Sequence, residues 1–444
     1  MMPVTGTLIV GAGPAGMGVL LAARGAGQLQ ALLDAGLKVM DDSPRLGAGE
    51  LGRYAIRSDS FADSFLASAA IDAQPPLAGL QRDGAGAQLA SQRGGPVPLK
   101  TAAEYMVEVS EHLRRWLAQH HYDPFLRGAR AVKARRQSNG DWLTEYRDAA
   151  GDTHAIQSRN LVLATGAAQS LPQLEQASVA GIPLWPEFSN KVVLSGELLD
   201  QDGGTLLARR LAGIAAPKVV VIGGSHSAVS SALVCLQHWD AHKRQDGQVS
   251  VLHRRPIRIT YQSPAVAIEE GYRDFGEEDI CPRSGRVFPL AGMRSDSRQL
   301  LRRCWNLGDA EPEPRLRLLQ LTAAHQTEAQ ALLRQADLIV AALGYRPRAL
   351  PLFEVDGAPI PLQAHGRGQP MVDAGSRVLD SAGRPIESLY ALGLSAGFPM
   401  AGVHGEPSFQ GESNGLSLWH GEIGASIVAQ ILAPLTQPDK ELSA

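Results

Sequence analysis

The chain has 444 residues, 44% of them apolar and 20% charged, with a formal net charge of −3, which describes an ordinary folded globular protein with room for two or three domains. No stretch clusters Lys and Arg as phosphate-backbone binding requires, so nucleic acid is not an expected partner. Cys235, Cys281 and Cys304 are too far apart to form CxxC, and the apolar run TLIVGAGPAGMGVLLAA has neither a basic flank nor a cleavage site, so a dithiol centre of that type and a membrane segment are both excluded and a cytoplasmic protein is expected.

In chain order, the apolar strand TLIV (7–10) runs into Gly11, Ala12, Gly13, Pro14, Ala15 and Gly16, followed by the helical MGVLLAAR. This is the strand, turn and helix order of a dinucleotide site. Gly11 allows the turn, Gly13 leaves room for a pyrophosphate, and Gly16 lets helix and strand pack closely, with helix N–H groups facing the phosphates. The fingerprint also expects an acid roughly 20 residues on, for the ribose. Asp34 fits the spacing but sits in a helical stretch, whereas Asp41 ends the strand-like LKVM, so Asp41 is the better choice. The next segment, SPRLGAGELGRY (43–54), resembles the glycine loop of flavoproteins with two dinucleotide-binding domains, the group that holds glutathione reductase and the flavin monooxygenases. The resemblance assigns the first turn to FAD and adds Gly47, Gly52 and Arg53 to its site. Tyr54, Ser58 and Asp59 follow the loop and are candidate substrate contacts, with a structural loop as the alternative.

TAAE (101–104) reads as a capping box, Thr101 bonding the Glu104 N–H, and predicts a helix start with Met106, Val109, Leu113, Trp116 and Leu117 on its buried face. Residues 129–163 predict a small antiparallel meander around SNGD and AAGD. LVLATGAAQSLP (161–172) resembles the ATG motif at the exit from the flavin domain, bringing in Thr165 and Gly166. DLIVAALGYRP (337–347), with Gly344 and Tyr345, matches the return.

Between these junctions KVVVIGGSHSAVSSALVCL repeats the strand, turn and helix order through Gly223, Gly224, Ser225, His226, Ser227 and Ala228. Ser225 stands where the middle glycine would, either crowding the pyrophosphate or donating to it. The next strand, QVSVLHRR, ends in His253, Arg254 and Arg255 where an NAD site would place an acid. Arginine there suits a ribose 2′-phosphate and so NADPH, unless both arginines are simply solvated.

GGSHSAVSS, RITYQSPAVAIEE (258–270) and SNGLSLWHGEIGASIVAQIL (413–432) are similar to stretches of the N-hydroxylating monooxygenases acting on ornithine and lysine, relatives of the class B flavin monooxygenases. The resemblance extends the flavin site to Gly393, Gly415 and Leu416. It departs at Ala267 and Ile268, where the family binds its amino acid through Asn and Glu, and at KVVLSGELL (191–199), which lacks the histidine of the monooxygenase motif. The expected fold is α/β, with two Rossmann-like dinucleotide-binding domains and the β meander. Residues 1–185 and 345–444 would form a discontinuous FAD domain, and 186–344 an inserted NADPH domain. Residues 256–304 read as a lid or binding loop, with Tyr261, Tyr272, Arg283 and Arg294 as candidate substrate contacts, or as a surface insertion packed by its own aromatics. The implied activity is NADPH-dependent monooxygenation of a small nitrogen-containing metabolite by dioxygen through a C4a-hydroperoxyflavin. The alternative is a flavin dehydrogenase or oxidase of an amine or amino acid with a degenerate second site. No catalytic residue is assigned, the spacing of His226, His365, His404 and His420 matches no metal pattern, and a homo-oligomer remains open.

Overall fold

A computed structural model describes residues 3–69, 75–120, 122–242, 246–363, 370–399, 405–413 and 415–433; His365 and His404 lie outside them. The strand Val4–Val10 is the centre of the first sheet. It runs parallel to Leu37–Asp41 on one side and to Thr153–Leu163 on the other. Phe125–Arg127 extends the sheet beyond Leu37–Asp41, and Pro385–Ala391 returns late in the chain to pair parallel with residues 161–163. Thr153–Leu163 serves two sheets' worth of partners, because its first half also pairs antiparallel with Trp142–Arg147, which pairs with Arg130–Arg136. This is the expected meander, and the fully buried Trp142 anchors it to the core beneath.

The helix Pro14–Gly25 begins with proline at its first turn and is buried at every position from Ala15 to Ala23, because the helix Glu422–Leu432 covers its other face. The helix Leu99–Gln119 starts three residues earlier than a Thr101 cap predicts. Pro98 precedes it, no side chain caps it, and Thr101 lies inside its first turn. The buried row Ala102, Tyr105, Met106, Val109, Leu113 and Leu117 follows the 3.6-residue period, which fixes the helix face but not its start. Trp116 packs partly buried against the same core.

The second sheet has five parallel strands in the order Val192–Leu194, Leu338–Ala341, Lys218–Ile222, Gln248–His253, Leu316–Gln320. Val219 and Val221 enter one apolar core while Val220 and Ile222 enter another, so both faces of the sheet are covered and KVVVI is apolar throughout. The outgoing crossover Ala167–Ala168 pairs antiparallel with the returning Arg346–Pro347, so the two junctions seen in the sequence lie side by side.

Residues 256–304 are not a lid. Ile257, Ile259, Tyr261, Tyr272, Val287, Phe288, Met293 and Leu300 are buried in the same core as the second sheet's helix His226–Ala241. Short turns, the helix Pro264–Glu269 and the helix Ser295–Trp305 bring these residues together without a sustained period, which is why the pattern reads as a loop. No helix among the described residues is long and apolar enough to cross a membrane.

Candidate functional site

Each sheet opens at its carboxyl end on a glycine turn. In the first, Gly11 has φ +102°, and a Cβ there would stand 2.3 Å from the Ala164 carbonyl oxygen; at Gly16 it would stand 1.8 Å from the Gly11 oxygen. Gly13 differs: the nearest atom to a Cβ would be the Gly49 Cα at 3.3 Å, so its bare face looks onto space a pyrophosphate can fill. Pro14 and Ala15 begin the helix whose amides point into that space. Asp41 ends its strand with the carboxylate against the turn, accepting the Ala12 N–H at 2.5 Å and the Ser43 N–H at 2.8 Å. Burial raises its pKa, and the two amides oppose the shift. Asp34 ends the helix Leu29–Asp34, is exposed, and accepts from Gln30, so it faces away from the turn.

The residues that follow hold the flavin-side wall together. Gly47 donates to the Ala12 carbonyl, and a Cβ on it would strike the Met106 oxygen at 2.2 Å; Gly52 packs on Ala103. Arg53 binds Asp200 of the second domain at 2.5 Å, with Glu50 at 3.8 Å, and Glu50 also binds Arg348 at 2.9 Å. Thr165 donates to the Arg348 carbonyl at 2.6 Å, the Gly166 carbonyl accepts the Arg348 N–H, and Gly344 bends at φ +87°. Next to it the Tyr345 and Tyr54 hydroxyls meet at 3.0 Å, and burial raises the Tyr345 pKa. Gly393 abuts Ala15, where a Cβ would lie at 2.6 Å. Gly415 precedes the short helix Leu416–His420, and the Leu416 side chain is buried in an apolar cluster, leaving only its backbone for a ligand. His420 donates from Nε2 to the Pro14 carbonyl at 2.9 Å, and burial pushes its pKa down to about 4.

In the second turn Gly223 has φ +137°, with the Ala342 oxygen 2.4 Å from the place of a Cβ, and Gly224 packs on His253. Ser225 caps the helix His226–Ala241 with an exposed, extended residue whose hydroxyl makes no cap bond. It and Ser227 are therefore available to a phosphate. Arg254 and Arg255 are exposed past the strand end; their carbonyls accept from Gln320 and from His253 Nδ1. A cavity of about 440 Å³ lies there, lined by His253, Ile257, Tyr272, Arg273, Trp305 and Gln320.

Of the predicted substrate residues, Tyr261 and Tyr272 belong to the core, 2% and 6% exposed, with the Arg298 guanidinium 4.6 Å over the Tyr261 ring. Tyr272 only edges the cavity. Ser58 is buried and donates to the Ser60 carbonyl within its own turn. Packing, not exposure, claims these three. Asp59 does reach the second sheet's helix, facing His226 at 3.4 Å, and both side chains stay partly exposed. Arg283 lies on an exposed turn, and Arg294 comes close enough to act on Asp59. Asp200, Arg348 and Glu406 carried no signal in any local motif. The buried Glu406 accepts the Leu290 and Ala291 N–H groups and so ties the late chain to the second domain. Among the described residues no group of His, Cys, Asp and Glu could hold a metal ion.

A mixed sheet and a parallel sheet, each opening on a dinucleotide turn, with paired crossovers between them, fit an FAD-dependent oxidoreductase linked to NADPH. The chain belongs to the pyridine nucleotide-disulphide oxidoreductase family, which matches residues 5–271 and binds FAD and NAD(P)H. It is 31% identical over 439 residues to CMP-5′-(3-aminopropyl)phosphonate hydroxylase of Streptomyces rubellomurinus, covering 96% of this chain and 97% of that protein. Its fold is similar to the FAD-bound cadaverine monooxygenase of desferrioxamine biosynthesis from Erwinia amylovora, at TM-score 0.58 and 14% identity over 100% of this chain and 97% of that one. The reduced ornithine hydroxylase of Pseudomonas aeruginosa aligns at TM-score 0.56 and 15% identity, over 98% and 100%.

Proposed function

We propose that this protein is an NADPH-dependent FAD monooxygenase that hydroxylates the amino nitrogen of a small metabolite carried as a phosphonate or nucleotide conjugate. The observation that carries this reading is the end-to-end likeness to the Streptomyces hydroxylase. Ornithine itself is disfavoured, because Ala267 is fully buried and Ile268 presents only an apolar side chain where amino-acid recognition would need polar groups. Three free cysteines, two of them buried, suit a reducing cytoplasm.

When bound, FAD and NADPH supply hydride transfer and the activation of dioxygen. The chain supplies binding, orientation and exclusion of water. Gly11 to Gly16 receive the flavin pyrophosphate and Asp41 its ribose, with Gly47, Gly52, Arg53, Thr165, Gly166, Gly344, Tyr345, Gly393, Gly415 and the Leu416 backbone forming the wall around it. Gly223 to Ser227 would hold the NADPH pyrophosphate, the cavity beside His253 would accept its adenosine end, and Arg254 and Arg255 would bind the 2′-phosphate. In this reading residues 186–344 form the NADPH domain and 1–185 with 345–444 the FAD domain.

The test is to supply the holoenzyme with NADPH, oxygen-18 dioxygen and CMP-5′-(3-aminopropyl)phosphonate. One labelled oxygen on the product nitrogen is expected. NADPH consumption that yields only hydrogen peroxide or a deaminated, unlabelled product would favour the oxidase or dehydrogenase reading.

A further inference from the structure

The acids on the face where the two domains meet are nearly all satisfied by named donors. Asp200 has Arg53, Glu50 has Arg348, and Asp296 has Arg57 at 3.4 Å. Asp279 accepts from Ser408 and from the Gly276 N–H, and Glu406 accepts two backbone amides. Asp59 is the exception. It lies on the strand Arg57–Phe61 of the flavin-side domain, and its one described polar contact is His226 Nε2, at 3.4 Å. An imidazole at that distance is a weaker partner than the permanently charged guanidinium that Asp296 has at the same separation. Burial holds the His226 pKa below its ordinary value, which weakens the imidazole as a counter-charge.

Arg294 acts on Asp59 electrostatically, but its guanidinium donates to the Pro289 carbonyl, and its charge also acts on Glu406. Asp296 adds a like charge. Burial therefore raises the Asp59 pKa despite His226 and Arg294. A half-buried carboxylate without a strong donor is costly unless a cation completes it. Both Asp59 and His226 keep 34% of their side-chain surface exposed, so the carboxylate is open to a ligand in the gap. His226 is also the first residue of the helix that starts at the second dinucleotide turn.

We infer that Asp59 is the subsite for the substrate's ammonium group, holding the nitrogen between the flavin-side domain and the second dinucleotide turn. This assignment rests on the proposed amine hydroxylation and narrows it to ligands with a primary alkylammonium. Glu50, Asp200 and Asp296 are not rivals for the role, since each already carries an arginine.

The experiment compares two ligands on the FAD holoenzyme saturated with NADP+: CMP-5′-(3-aminopropyl)phosphonate and its deamino analogue, CMP-5′-propylphosphonate. Wild type is expected to bind the amine about tenfold more tightly, the value of one charge-assisted contact. Asp59→Asn should erase that preference and leave the analogue's affinity unchanged, while Asp59→Glu should restore part of it. Flavin content reports folding in each variant. A preference that survives in Asp59→Asn overturns the assignment alone, provided wild type hydroxylates the amine. Asp59→Asn that instead weakens NADP+ relative to NADPH, with the amine preference intact, would give the carboxylate to the nicotinamide cation. Wild type that binds neither ligand overturns both the assignment and the proposed substrate class.

Discussion

The two glycine turns share one demand and differ in another. Gly11 and Gly223 both sit against a carbonyl of a neighbouring crossover, Ala164 and Ala342, at distances that leave no room for a side chain. That demand comes from the chain's own geometry. The other positions diverge: the open-faced Gly13 becomes the exposed Ser225, the packed Gly16 becomes the buried Ala228, and the acid Asp41 is replaced by His253 followed by Arg254 and Arg255. The first turn is also sealed by Glu422–Leu432 and by His420 on Pro14, whereas Ser225 is exposed. Tight turns are thus fixed by packing, and the choice of dinucleotide is written in the few residues that packing leaves alone.

The sharpest way to break this comparison is inside the first turn. Gly16→Val would drive a side chain into the Gly11 oxygen, and a loss of more than about 4 kcal/mol is expected, read as insoluble or unfolded protein. Gly13→Val meets only Gly49 at 3.3 Å, so it should fold with wild-type circular dichroism yet purify without FAD. Stoichiometric flavin in that variant would remove the first turn from the cofactor site.

His420 provides the next largest effect. Its folded pKa of about 4 lies below the ordinary 6.5, so burial of the neutral ring contributes stability that is complete above pH 6.5 and is lost as pH falls toward 4. The span corresponds to at most about 3 kcal/mol. Thermal unfolding followed by flavin release should therefore steepen with acid in wild type and flatten over the same range in His420→Gln. An unchanged pH profile in the variant would place the titration elsewhere.

Much of this architecture was legible locally. Both strand, turn and helix units and the meander follow from short-range spacing, the paired crossovers came from the family resemblance of their motifs, and Asp41 was distinguishable from Asp34 by its place at a strand end. The segment 256–304 was not, because Ile259, Val287 and Phe288 meet in space without a period in sequence. Nor were the pairings Arg53 with Asp200, 147 residues apart, or Glu406 with Ala291, since only closure of the two domains brings them together. TAAE misled for a simpler reason: the helix begins three residues earlier, after Pro98, and leaves Thr101 inside.

Asp41 and the arginines test the strand ends. Asp41→Ala should weaken FAD binding by about tenfold or more, the loss of a charge-assisted ribose bond, while Asp34→Ala should leave it within about twofold. Apoprotein titrated with FAD gives both values, and the reverse order would mean that the wrong acid has been assigned. For the second site, the Arg254→Ala and Arg255→Ala double variant should lose NADPH affinity about tenfold with little change for NADH, because only the former carries the 2′-phosphate. Equal losses for both dinucleotides would place these arginines away from the phosphate.

The smallest expected effect belongs to Ser225, and it separates two physical roles at one atom. If the side chain merely crowds the pyrophosphate, Ser225→Gly should tighten NADPH binding; if the hydroxyl donates to it, the same change should weaken binding by about 1 kcal/mol or less, roughly fivefold at most. The structure favours donation, because Ser225 is exposed and extended at the helix start and its hydroxyl makes no bond to the helix it caps. Ser225→Ala keeps the Cβ and removes the donor, so it should weaken NADPH binding at least as much as glycine does. Fluorescence titrations of all three proteins with NADPH decide the matter, and tighter binding by Ser225→Gly would show that the second turn is an impaired copy of the first rather than a variant adapted to its own ligand.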